Sequence, residues 1–329
     1  MNRFLASSLM VMLLSLVACE EGGKTEGSSS SVEIHLRSVV PTFNGDTAYQ
    51  YVQTQLEFGP RVPNSEGHAA MAIWLVETLE QYGAKVKVQN ATVTAYDQTP
   101  LYISNIFASY NPGAQRRVLI SAHRDTRPVA DQDDERQDEP IPGANDGASG
   151  VAVLLEMARL FQQQVPEIGV DLAFWDAEDY GNPNVRDSYA LGSQYWARNK
   201  HVPNYRAIWG INLDMVGAKG AEFPKEGRSL DFNALLVERV WKTAKLLGYG
   251  TYFVNRKANP IVDDHVYVSM QGGVPMIDII DIPRVGGFFQ HWHTHDDDLP
   301  SIDPETMKAV GQTVLQVIYD EGVPRAANP

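Results

Sequence analysis

The chain has 329 residues, of which 43% are hydrophobic and 21% charged, with a formal net charge of −14. That composition supports a sizeable hydrophobic core. The acidic balance argues against nucleic acid or an anionic membrane surface as a partner, since both require clustered Lys and Arg.

Residues 1–18, MNRFLASSLMVMLLSLVA, place Arg3 ahead of an apolar run from Leu9 to Val17. This is the pattern of a secretory signal peptide. The run is shorter than the about 20 residues of a comfortable membrane span. Cys19 is the single cysteine and directly follows Ala18. It resembles the lipidated cysteine of a bacterial lipoprotein; the bland reading is a plain signal peptide with a chance cysteine. Cleavage after Ala18 would remove the positive charge of Arg3 and change −14 to −15. With no second cysteine a disulfide is excluded, so stability must come from core packing and bound metal. Residues 19–31 read as the lipidated cysteine and a flexible Gly/Ser tether. Residues 32–329 read as a single catalytic α/β domain. Export follows, to the periplasm or to an outer-membrane anchor, with membrane contact only through the lipid and with a monomer expected.

The folded part begins with two helical patterns, 47–58 and 67–83, the second closed by Gly83. The stretches 85–96 and 101–110 alternate apolar and polar residues, as a half-exposed antiparallel pair does. From 117 onward buried strands and helices alternate. The strands are 117–123, 170–179, 207–217 and 274–280; the helices are 149–164, 188–199, 233–248 and 304–320. This predicts a central, mostly parallel mixed β-sheet flanked by helices on both faces, with an antiparallel pair at one edge.

Ligands of such sheets bind beyond the carboxyl ends of the strands. The candidate residues fall there. His123 and Asp125 follow the first buried strand, and Glu178 and Asp179 the second. Asp214 ends the third; Asp281 and the loop FFQHWHTHDDDLP (288–300) follow the fourth. Asp146 stands just before the helix at 149. Three N/O ligands and one open position describe a catalytic zinc, and Asp146, Asp179 and His293 suit it. His123 and Asp214 are placed to complete a second metal position. Glu178, beside a ligand, is placed to move protons. Taken singly, Asp146 reads as a helix cap, Asp214 as a turn residue, His123 as a core histidine and Trp292 as core filling. The coincidence of all of them at strand ends favours a site. His291 and His295 flank His293, and one ligand is the expected outcome of so short a run. The acid run ADQDDERQDEP (130–140) reads as a solvated loop.

The pieces HRD (123–125), NDGASG (145–150), ED (178–179), NLDMVG (212–217) and WHTHDD (292–297), with EFGPRVPNSEGH (57–68), resemble the M28-type co-catalytic zinc aminopeptidases over residues 46–320. Within that superfamily the delayed LGS (191–193), Trp292 before His293, and VDDHVYV (262–268) followed by GGVPMIDII (272–280) resemble the animal-type glutaminyl-peptide cyclotransferases. The resemblance implies a zinc aminopeptidase-like α/β/α sandwich. It implies one Zn²⁺ held by Asp146, Asp179 and His293, and Glu178 as general acid/base. Asp214 and Asp263 would be acids of the catalytic hydrogen-bond network, and Trp292 the aromatic wall of the substrate pocket. The implied reaction is cyclisation of N-terminal glutamine of peptides or proteins to pyroglutamate, with loss of ammonia. The chain departs from the animal members at three points. Asp278 stands where they have a histidine, no tryptophan occurs in 180–187, and their disulfide is absent. The alternatives are a dizinc M28 aminopeptidase using His123 and Asp214 as well, and an inert M28-like binding module.

Overall fold

The computed structural model describes residue 36 and residues 39–321. The expected signal segment, Cys19 and the tether lie outside the described residues.

Local signals set the element ends. Helix α1 (Gly45–Leu56) is capped by the Asn44 side chain, which accepts from the Thr47 amide. Helix α2 (Glu66–Gln81) is capped in the same way by Ser65 on the His68 amide. The chain leaves α2 through Gly83 at φ +76°, a left-handed turn that favours glycine. Strands β1 (Lys85–Thr94) and β2 (Pro100–Tyr110) form the expected antiparallel pair. Then follow β3 (Arg117–His123), α3 (Ala148–Gln163), β4 (Gly169–Trp175), α4 (Leu191–Arg198) and β5 (Gly210–Asp214). The chain continues with β6 (Phe223–Lys225), α5 (Gly227–Leu246), β7 (Phe253–Lys257), α6 (Asp264–Met270) and β8 (Met276–Ile280). A 3-10 turn at Leu299–Ser301 leads into α7 (Pro304–Glu321).

The main sheet has the order β1-β2-β4-β3-β5-β8. β2 runs antiparallel to β4, while β4, β3, β5 and β8 run parallel. β4, β5 and β8 are buried along their whole length, as helices on both faces require. Successive side chains go to opposite faces. Val118, Ile120 and Ala122 join Val170, Leu172 and Phe174 under α1, α3 and α7. Leu119, Ala173, Trp175 and Met276 join Trp196 and Val268 on the face of α4 and α6. The mixed α/β sandwich is therefore the fold.

The structure adds three elements without a sequence counterpart. β6 and β7 form a separate two-stranded parallel sheet. They are three and five residues long, too short to show a period. Helix α6 has seven residues and is capped by Asp263, so the last five residues of VDDHVYV are helical and the first two lead into it. Helix α5 also starts earlier than 233, at Gly227, with a break at Asn233 (φ −157°) where a second cap begins.

Candidate metal centre and catalytic acids

The carboxyl ends of β3, β4 and β5 converge with the loop before α3 and the loop before α7. β3 delivers His123 as its last residue, and β5 delivers Asp214 as its last. After β4 the chain turns sharply. Asp176 holds this turn: its carboxylate meets His68 Nε2 at 2.7 Å, accepts from the Ser104 amide at 2.5 Å and pairs with the buried Arg124. Ala177 then adopts a left-handed φ of 49°. That turn directs the next two amides at Asp125, whose carboxylate accepts from Glu178 N at 3.0 Å and Asp179 N at 3.1 Å.

The loop before α3 is held by the same device. Asp297 accepts from Asn145 N at 2.7 Å and Asp146 N at 3.1 Å. Asp146 does not cap α3: the capping position is Gly147 and no side chain bonds there. Its carboxylate is thus free to serve the site. The Asp146–Gly147 peptide is cis. A Cβ on Gly147 would lie 2.6 Å from His123 Cε1 and from the His123 carbonyl, so only glycine fits beside the ring.

Two triads result, and Asp146 belongs to both. In one, His293 Nε2 lies 3.2 Å from Asp179 Oδ1 and 3.7 Å from Asp146 Oδ2. In the other, His123 Nε2 lies 3.0 Å from Asp146 Oδ1 and 3.4 Å from Asp214 Oδ1. Ligand-to-ligand edges of a tetrahedral zinc with N and O donors are about 3.4 Å. Both His123 nitrogens, Asp179 Oδ2 and Asp214 Oδ1 are buried and make no hydrogen bond. Burial alone lowers the pKa of His293, yet the charge of Asp179 and the bond to Asp131 bring it up to about 9. His123 is raised likewise, against its burial, by Asp125, Asp146 and Asp214. Buried carboxylates that pull two imidazoles toward the cationic form call for positive charge, which a divalent ion supplies. The residues fit zinc.

His293 enters at φ 58°, a strained turn residue, and its Nδ1 meets Asp131 Oδ1 at 3.0 Å. Asp131 is itself gripped by Nε and Nη2 of Arg127, each at 2.8 Å. The loop at 130–140 is largely exposed, as a solvated loop is, but Asp131 and Asp133 are half-buried and engage the histidine loop. Asp131 orients the metal histidine, and Asp133 accepts from the His295 amide at 2.9 Å and meets its Nδ1 at 2.7 Å. His295 is thereby spent on the loop, and His291 stands apart, 3.8 Å from Asp296. Trp292 stacks on the His293 ring at 3.8 Å and meets Phe288 at 4.7 Å.

Glu178 is buried. Desolvation, with the charges of Asp179, Asp263 and Asp264, pushes its carboxyl well above the usual range despite His123. Burial raises Asp214 to about 7, with His123 opposing. Asp263 accepts from Asn212 Nδ2 at 2.8 Å, and Asn212 also faces Asp278 at 3.5 Å. Asp281 takes no part: it turns away to accept from Glu222 N at 2.9 Å. Residues 180–189 form a loop whose ends close between Ala190 N and Glu178 O at 2.8 Å. Arg127 and Ser188 tie it from within, through the Gly181 carbonyl and Asn182.

Asp131, Asp297, Asn145 and Arg127 were not singled out from the sequence. Each acts through backbone amides or another side chain, and such pairings leave no spacing to read.

A parallel-rich sheet with a shared carboxylate between two His/Asp triads at its rim defines a zinc-dependent α/β enzyme, and the chain belongs to peptidase family M28, which matches residues 105–318. It is 50% identical to the glutaminyl cyclase of Tannerella forsythia, with a TM-score of 0.83, over 85% of this chain and 99% of that one. A structure described as a leucine aminopeptidase precursor from Bacteroides thetaiotaomicron is 48% identical, with a TM-score of 0.82, over 85% of this chain and 98% of that one. The glutaminyl-peptide cyclotransferase of Bos taurus is 26% identical over 292 residues, 79% of this chain and 78% of that protein.

Proposed function

We propose that this protein converts the N-terminal glutamine of peptides and proteins to pyroglutamate, with zinc as its cofactor. The supporting observation is a set of buried carboxyls of raised proton affinity behind the metal-ligand rim. Burial pushes Glu178, Asp214 and Asp278 all above the ordinary carboxylate range. Cyclisation must take a proton from an amine and give one to a leaving amide nitrogen, and such groups suit that task. The likeness to solved glutaminyl cyclases supports the same reading.

Asp146, Asp179 and His293 would hold a single zinc, which supplies Lewis acidity toward the γ-carbonyl of the substrate. The α-amine of the glutamine attacks its own Cδ, so the nucleophile is already in the substrate and no water need be activated. Glu178 accepts the proton that the amine loses. The same carboxyl returns that proton to the amide nitrogen as the Cδ–N bond breaks, and ammonia leaves. Asp214 or Asp263 stabilises the ammonium-like leaving group. Trp292, fixed on His293, walls the glutamine side chain.

The test is turnover of Gln-peptide and Leu-peptide substrates, with and without phenanthroline. Pyroglutamyl product and ammonia from the Gln substrate alone, lost with chelator, support the proposal. Release of free leucine or glutamine would establish the aminopeptidase instead. Export and lipid anchoring at Cys19 belong to the same proposal, supported by the apolar run that ends two residues before it. Cys19→Ser tests them: it should move the protein from the membrane to the soluble fraction, and an unchanged distribution rejects the anchor. Sedimentation tests the expected monomer.

A further inference from the structure

A cavity of about 660 Å³ opens between the turn after β5, the loop after β8 and the 3-10 turn before α7. That volume lies within the range of about 300–1,000 Å³ usual for ligand pockets. Backbone bonds fix its walls. Lys219 donates its amide to the Ser301 carbonyl at 2.9 Å and its ammonium to the Pro300 carbonyl at 2.7 Å. The Ile282 amide donates to the Glu222 carbonyl at 3.0 Å, and the Glu222 amide donates to Asp281 at 2.9 Å.

A line of rings joins this cavity to the metal centre. Trp292 stacks on the His293 ring at 3.8 Å, Phe288 meets Trp292 at 4.7 Å, and Phe288 also lines the cavity. Phe289, another lining residue, is buried with Met215, Ala218 and Ile280, and Phe288 and Trp292 pack on the same apolar cluster. Met215 directly follows Asp214. An extended peptide advances about 3.3 Å per residue. A chain whose first side chain is held at Trp292 therefore carries the next two toward Phe288 and the space beyond it.

The lining also sets the chemistry. Pro283, Val285, Phe288, Phe289 and Pro300 give it an apolar surface. Val285 is 85% exposed, and the two glycines after it stand at φ +110° and +89° with open space around them. Apolar surface left open in this way is stabilised by a partner that covers it. The charged groups of the lining are already engaged, Lys219 with the Pro300 carbonyl and Asp281 with the Glu222 amide.

We propose that this cavity is the subsite for the residues that follow the N-terminal glutamine, and that it selects a large apolar or aromatic side chain at the second or third position of the peptide. The inference rests on the proposed cyclisation, which sets the glutamine against Trp292.

The test compares kcat/KM of the zinc-loaded protein on Gln-Gly-Gly, Gln-Phe-Gly and Gln-Gly-Phe, and on the Lys counterparts of the last two. One of the Phe peptides should exceed Gln-Gly-Gly by about tenfold, through KM rather than kcat. The Lys peptides should show no such gain. Val285→Glu should reduce the Phe preference to about twofold or less. That readout is a ratio between substrates, so a general loss of activity in the variant does not disturb it. Equal kcat/KM for all the peptides overturns the proposal, as does a gain with Lys that matches the gain with Phe. A Phe preference that survives Val285→Glu also overturns it, because the side chain then rests elsewhere. If the wild type does not cyclise glutamine, the proposed function fails first. Calorimetric titration of the same peptides then decides the subsite from the same ratios in Kd.

Discussion

Asp131 Oδ1 lies 3.0 Å from Nδ1 of His293, while Nε2 of the same ring faces the carboxylates of Asp146 and Asp179. A histidine bonded at one nitrogen presents the other in a fixed tautomer and orientation. Arg127 makes the arrangement rigid by binding Asp131 with two nitrogens and the Asp179 carbonyl at 2.9 Å with a third. Asp131→Asn should leave the fold intact and weaken zinc by about 10–100-fold. Competition against a graded chelator measures this; an unchanged zinc affinity would show that Asp131 has no hold on the ligand.

Glu178→Gln removes the carboxyl proposed to carry the proton in both directions while keeping its backbone bond to Asp125 at 3.0 Å. The variant should bind zinc and substrate and lose about 10²–10⁴-fold in kcat. Rate constants with metal analysis on the same sample decide it. Retained turnover would transfer the role to Asp214 or Asp263.

Gly147 has no room for a side chain, with His123 atoms 2.6 Å from a notional Cβ. Gly147→Ala should displace His123 or the Asp146 loop. We expect a loss of about 1–3 kcal/mol in stability and reduced zinc occupancy. Thermal unfolding with and without zinc measures both, and a wild-type Tm in each condition contradicts the packing argument.

Asp281 yields a pH effect away from the metal centre. Burial, then the charge of Glu222, pushes its carboxyl from the ordinary aspartate value of 3.8 up to about 7, although the Glu222 amide opposes. The folded protein therefore binds more protons than the unfolded chain between those values, and stability falls as pH rises through that window. Below it the burial is tolerated in the neutral form; above it the folded state carries a buried charge. Asp281→Asn should be the more stable protein at pH 8 and gain little at pH 4. Equal Tm differences at the two values would remove Asp281 as the cause.

Zinc binding should raise Tm, since a ligand that binds only the native state at a hundred times its Kd adds about 2.7 kcal/mol. One ion per chain is the expected stoichiometry, held by Asp146, Asp179 and His293. Asp214→Asn should then keep that ion, whereas His293→Ala should lose it. Two ions, one lost with Asp214→Asn, would identify the His123 triad as an occupied second site and favour hydrolysis.

Residues 46–320 announced much of this in the sequence itself. Buried strands read as apolar runs because parallel strands covered on both faces have no polar side. Their ends carry His123, Glu178, Asp179 and Asp214, so the rim could be found before any coordinate. The short elements could not: β6 and β7 have no measurable period, and VDDHVYV divides between the Asp263 cap and a seven-residue helix. Nor could the roles of the other acids. Asp297 and Asp125 look like any loop aspartates, yet each clamps two successive amides beside a metal carboxylate. Asp131, in an acid run that reads as solvated, is drawn to His293, 162 residues away. Asp278 and His265 meet only because α6 packs on β8. Periodicity and strand ends are local properties of a chain, so the sequence alone determined the sheet and its reactive rim. Which acid binds, which clamps and which holds a proton depends on burial and on neighbours distant in sequence, and the tertiary structure alone decides those.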